Sequence, residues 1–227
     1  NEQIQSNVIH AAHQHGTKKL LFMGSVCVYP RMADIPIKEE YLLTGPLEQT
    51  NEGYAIAKIS GMMMCKKYYE QYGDTFFSTM PANLYGPNDN YHNQNAHVIP
   101  TLMERFHNAK QAGQSEVVVW GTGKPTRDFL HSYDLAEALI LLMEKYEDKQ
   151  HVNIGPGTET SIRELAETMK EVVGFKGQLT FDTSKPDGTP RRYLDNSKIE
   201  SLGWEPQFSL REGLENTYEW FLQHQDQ

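Results

Sequence analysis

Lys19-Leu20-Leu21-Phe22-Met23-Gly24-Ser25 and Thr75-Phe76-Phe77-Ser78-Thr79-Met80-Pro81 decide the fold. Each is a short apolar run closed by a breaker, which reads as a buried strand. Between them lie a Pro-rich loop, from Tyr29 to about Thr50, and a helix from about Glu52 to Tyr72. Strand, crossover helix and strand in that order imply a parallel sheet. Upstream, Ile4, Val8, Ile9, Ala11 and Ala12 recur at helical spacing, and Gly16 stops that helix.

After Tyr85 the loops lengthen and strands stand alone: Val117–Trp120, Asp128–His131, His151–Ile154 and Gln178–Phe181. Helices fall at about His97–Gln111, Ser132–Lys145, Ser161–Val173 and Ser209–Gln223, with Ser132, Ser161 and Ser209 read as N-caps. The expected architecture is α/β: a Rossmann-like parallel sheet over residues 1–86, then a smaller α+β substrate lobe over 87–227. Segments near 115–155 are expected to return in part to the first domain. The sequence begins inside a helix and holds no G-x-G-x-x-G turn, the usual pyrophosphate cradle of such sheets. The first strands of the cofactor domain are therefore expected to be missing.

The 227 residues carry a formal net charge of −9, which disfavours a general nucleic-acid binder. No apolar run reaches membrane-spanning length. Two cysteines, Cys27 and Cys65, cannot form a disulfide framework, and no metal-ligand spacing surrounds them. A reducing cytoplasm fits.

Tyr54-Ala55-Ile56-Ala57-Lys58 puts a phenol and an ammonium on one helix face. A cation beside a phenol favours the phenolate, which equips it to exchange a proton with a carbonyl oxygen. Such pairs are also common on ordinary amphipathic helices. Ser25 ends the preceding strand, where an open α/β sheet places its ligand, and can bond the same carbonyl. Cys27 follows two residues later. Most buried cysteines are packing groups, but a thiolate at this lip could take a proton from carbon next to a ketone. His97 opens a helix after the polar loop Asn88–Asn95 and could return that proton from the opposite face. A base and an acid on opposite faces of one carbon invert it.

Ser25 with Tyr54 and Lys58 resembles the Ser-Tyr-Lys triad of short-chain dehydrogenases, and Met80-Pro81-Ala82-Asn83-Leu84-Tyr85-Gly86-Pro87 resembles the nicotinamide wall of their extended members. Together with Gly24–Pro30, His97-Val98-Ile99-Pro100, Val118–Gly123 and Lys185-Pro186-Asp187-Gly188-Thr189-Pro190-Arg191, these segments resemble the GDP-L-fucose synthase family over essentially the whole chain. Val26 departs from the serine often found there.

The resemblance implies NADPH-dependent 3,5-epimerisation and 4-reduction of GDP-4-keto-6-deoxy-D-mannose. Cys27 would be the base, His97 the acid and Tyr54 the proton donor, tuned by Lys58 and oriented by Ser25. Met23, Gly24, Ser25, Val26, Lys58, Pro81, Ala82, Asn83, Leu84 and His97 would face NADP(H). Arg105 and Arg127 would face the diphosphate or sugar, Trp120 the nucleotide, and Asp187 a guanine or sugar group. The Tyr54 helix, with Met62-Met63-Met64-Cys65 unable to share one core face, would join a homodimer. Two other readings stay open: a nucleotide-sugar 4-epimerase or 4,6-dehydratase of the same superfamily, or an inactive piece that binds GDP-sugar or dimerises.

Overall fold

The computed structural model of the chain describes residues 1–91 and 96–224. In chain order the elements are α1 (Glu2–Gln14), β1 (Lys19–Met23), α2 (Glu52–Tyr72), β2 (Thr75–Pro81), β3 (Asn83–Tyr85), α3 (Val98–Gln111), β4 (Glu116–Trp120), β5 (Thr126–Arg127), β6 (Phe129–His131), α4 (Ser132–Lys145), β7 (Val152–Ile154), β8 (Thr160–Ser161), α5 (Ile162–Val173), β9 (Gln178–Asp182), α6 (Ser197–Glu200) and α7 (Leu210–Gln223). Short 3-10 turns punctuate the loop between β1 and α2.

β1, β2 and β7 form a parallel sheet in the order β1-β2-β7, with Lys19 opposite Thr75 and Met23 opposite Thr79. The β2 side chains after Thr75 are all buried, as expected of a central parallel strand covered on both faces. α2 lies against β1 at Gly61, where a Cβ would stand 2.5 Å from the Phe22 ring. Gly73 ends α2 in the left-handed conformation (φ +76°), which costs glycine no Cβ strain. Gln5 of α1 donates to Ala57 O of α2 and ties the two helices together.

Three two-stranded ladders make up the rest: β3 with β6 and β4 with β9, both parallel, and β5 with β8, antiparallel. One apolar core gathers Val28, Phe77, Met80, Leu130, Leu142 and Ile154 under the three-stranded sheet. A second gathers Ile99, Met103, Phe106, Leu165, Met169 and Leu214 among α3, α5 and α7. Each such side chain contributes roughly 1.5–3 kcal/mol by leaving water. β6 contributes Leu130 to the first core and Phe129 to the second, so this strand spans both. Among the described residues no helix is long and apolar enough to cross a membrane.

Ser161 and Ser209 cap α5 and α7, accepting from Glu164 N and Glu212 N. The expected Ser132 cap is a correction. Ser132 is the first residue of α4, and His131 is its N-cap, with Nδ1 accepting from Tyr133 N at 3.3 Å. An imidazole nitrogen serves there as the acceptor that a hydroxyl usually provides.

Candidate active site

The C-terminal ends of β1 and β2 open into a cavity of about 1190 Å³. β1 runs into Gly24 and Ser25, whose Oγ accepts from Cys27 N at 3.3 Å and starts the turn Val26–Val28. That bond uses an acceptor site on Ser25 and leaves its hydroxyl proton free to donate. Met23, Gly24, Ser25, Val26 and Cys27 all line the cavity.

Across from them stands the first part of α2, with Tyr54 and Lys58 on the cavity face. The Lys58 Nζ donates to Met23 O at 2.7 Å, so the helix is fastened to the end of β1. The same ammonium lies 5.8 Å from the centre of the Tyr54 ring and 5.2 Å from that of Phe22. Burial pulls its pKa below the usual lysine value.

Pro81, Ala82, Asn83 and Leu84, at the β2–β3 junction, form a third wall. His97, the N-cap of α3, forms a fourth. Residues 92–95 of the polar loop before it lie outside the described residues. Arg105, from the second turn of α3, reaches the cavity and donates to Val118 O at 2.8 Å.

The far end is built by β4, β5 and the loop after β9. Trp120 is 66% exposed at the rim, with Lys185 Nζ 5.6 Å above its ring. Arg127 donates to Thr126 O at 2.6 Å, and burial with the nearby Arg192 charge draws its pKa down. Asp187 lines the cavity while its two oxygens accept from Thr122 N and Thr122 Oγ1, each at 2.8 Å. Those bonds hold its carboxyl below the usual range and clasp the loop Lys185–Gly188 to the end of β4. All the candidate residues read from the sequence thus face one cavity.

Residues 1–155 match the family described as NAD dependent epimerase/dehydratase. The chain belongs to that family. Among its relatives, a protein named putative GDP-L-fucose synthase 2 from Arabidopsis thaliana is 59% identical over 224 residues, covering 99% of this chain and 68% of its own length. The GDP-L-fucose synthase of Escherichia coli (strain K12) is 52% identical over 235 residues, covering 100% of this chain and 73% of its own. A solved GDP-L-fucose synthetase from Naegleria fowleri, bound to NADP, superposes with a TM-score of 0.92 at 33% identity, covering 98% of this chain and 71% of that one.

Two residues at or beside this cavity escaped the sequence reading. Asn51 lines the cavity one helical turn before Tyr54. Arg192 is 7% exposed and donates to Val26 O at 2.8 Å, bracing the backbone between Ser25 and Cys27. Its one visible signal is its place just after the Lys-Pro-Asp-Gly-Thr-Pro run.

Proposed function

We propose that this cavity converts GDP-4-keto-6-deoxy-D-mannose to GDP-L-fucose by 3,5-epimerisation followed by NADPH-dependent reduction at C4. The observation that carries this reading is one cavity lined by a thiol (Cys27), an imidazole (His97) and a phenol (Tyr54) beside Lys58. A plain reductase needs only Tyr54 and Lys58. A residue pair able to take and return a carbon-bound proton is what epimerisation adds.

The wall chemistry fits a nicotinamide. Met23, Val26, Ala82 and Leu84 are apolar, and Asn83 offers a single amide, which suits a flat, mostly apolar ring carrying a carboxamide. When bound, NADPH supplies the hydride for C4. The rest of the chemistry belongs to the chain. The 4-keto group acidifies the hydrogens at C3 and C5. Cys27 removes each proton as thiolate, and His97 delivers one to the opposite face. Tyr54 gives its proton to the C4 oxygen as that carbon is reduced. Ser25 donates its free hydroxyl proton to the same oxygen and orients it. Lys58, anchored on Met23 O, keeps a positive charge beside the phenol.

Arg105 and Arg127 bring positive charge to the diphosphate in a chain that is acidic overall. Trp120 packs on the nucleotide base. Asp187 bonds the guanine or sugar with the lone pairs that Thr122 leaves. We assign the first core to a cofactor-side lobe and the second to a substrate-side lobe. The working form is a homodimer in the cytoplasm. Ile4 and Val8 on α1 and Ile56 on α2 are 69%, 56% and 51% exposed, apolar side chains that pairing with a second copy would cover. Supplying GDP-4-keto-6-deoxy-D-mannose and NADPH tests the reading. One GDP-L-fucose should form per NADPH consumed. A 4-epimer or a dehydrated sugar as sole product would refute it.

A further inference from the structure

We propose that Asp128 is a positioning residue that fixes the Asn83 carboxamide so that only its oxygen is offered to the cavity. Asp128 sits between β5 and β6 and is fully buried. Asn83 begins β3, pairs with Phe129 of β6, and donates its backbone N–H to Asp128 O at 3.1 Å. Its side-chain Nδ2 donates to the same Asp128 O at 3.3 Å and to Asp128 Oδ1 at 3.2 Å. An amide nitrogen has two protons, and both go to Asp128. No described residue donates to Asn83 Oδ1, and Asn83 lines the cavity.

The orientation follows from the chemistry of the partner. Asp128 Oδ1 accepts from the Asn83 amide, so it holds the amide nitrogen inward and turns the oxygen outward. The other carboxylate oxygen accepts from Leu194 N at 3.1 Å, so the acid cannot swing away without releasing a second segment. A buried acid is an expensive choice for packing alone, and burial pushes Asp128 up to about 7. The role argued here explains why a group with two accepting oxygens stands there. The wall then presents one fixed acceptor to an N–H or O–H donor, supplied by the cofactor's carboxamide or by a hexose hydroxyl. This inference rests on the reading of the cavity proposed above.

Three measurements test it. In the unliganded wild-type protein, the Asn83 side-chain amide protons, assigned by NMR, should exchange with water at least roughly tenfold slower than those of an exposed asparagine. Free exchange would overturn the proposal. Asp128→Asn must keep an oxygen on Leu194 N, so its NH₂ faces Asn83 and forces that amide to turn its own nitrogen to the cavity. Calorimetry with NADPH and with GDP-mannose separately should then show one of them binding about tenfold more weakly, which names the source of the donor. Turning the amide also gives up its bond to the backbone oxygen of residue 128, so the melting temperature should fall by a few degrees while the protein stays folded. Both ligands binding as in the wild type would overturn the proposal. The double variant Asn83→Asp/Asp128→Asn restores an acceptor on each side of the pair and should recover most of the lost affinity. A double variant no better than Asp128→Asn would show a merely structural role. The amide exchange needs no substrate, so it stands or falls apart from the proposed reaction.

Discussion

Gly24→Ala is the substitution whose effect can be worked most closely from the geometry. Gly24 does not need glycine for its backbone angles, since its φ is not positive. It needs glycine for space. A Cβ there would lie 2.6 Å from both Sδ and Cε of Met80 and 2.7 Å from Thr79 O. Met80 is fully buried, and Thr79 O is backbone that already accepts from Gly24 N at 2.8 Å. The end of β1 must therefore move off β2 by roughly 0.8 Å to regain ordinary contact. Overpacking of this kind costs about 1–3 kcal/mol, or roughly 2–12 °C of melting temperature for a chain of this size. Ser25 and Cys27 ride on the displaced segment. A shift of that order at reacting groups lowers kcat by roughly 10- to 100-fold. Differential scanning calorimetry and steady-state NADPH oxidation on the same preparation check both numbers. A Gly24→Ala variant with wild-type melting and wild-type kcat would show that the β1–β2 seam is not what holds these side chains in register.

Other consequences are smaller in scope. Burial brings His151 down to about 4 from 6.5, and it meets the Tyr29 hydroxyl at 3.2 Å. Its folded value lies below the unfolded one, so the stability it contributes is complete above about pH 6.5 and is lost as pH falls toward 4, about 3 kcal/mol in all. His151→Gln keeps a donor for Tyr29 and should lose that much less stability on acidification, and equal slopes for the two proteins would contradict this. Arg127→Met should weaken GDP-mannose binding about 10- to 100-fold by calorimetry while NADPH binding holds, and a drop in NADPH affinity instead would reverse the proposed orientation of the ligands. Ile56→Glu should turn a sedimenting dimer into a monomer at micromolar concentration without moving the melting curve of the subunit, and an unchanged dimer would move the interface elsewhere.

What could be read from the sequence was whatever is local. β1 and β2 are continuous apolar runs closed by Gly24 and Pro81, and Tyr54 and Lys58 share a face because four residues make about one helical turn. The acidic partners Glu164 and Glu212, three residues after Ser161 and Ser209, mark those caps without tertiary information. What escaped depends on residues far apart in the chain. β3 is three residues long and exists only because β6 lies beside it. β5 and β8 are two residues each and carry no periodicity. Asp128 is an acid at a core position, 45 residues from Asn83, and no pattern in either segment announces the pairing. Asp187 was legible as a turn residue in Pro-Asp-Gly, but its grip on Thr122 requires the 65-residue excursion that returns it to β4.

The central claim is that Cys27 starts proton exchange at carbon on a keto-sugar in this cavity. Turnover of GDP-4-keto-6-deoxy-D-mannose in deuterated water, read by NMR of the product, tests it most directly. The account predicts deuterium at both C3 and C5 with the wild-type protein and at neither position with Cys27→Ser. Unlabelled product from the wild type, or full labelling from Cys27→Ser, would contradict it.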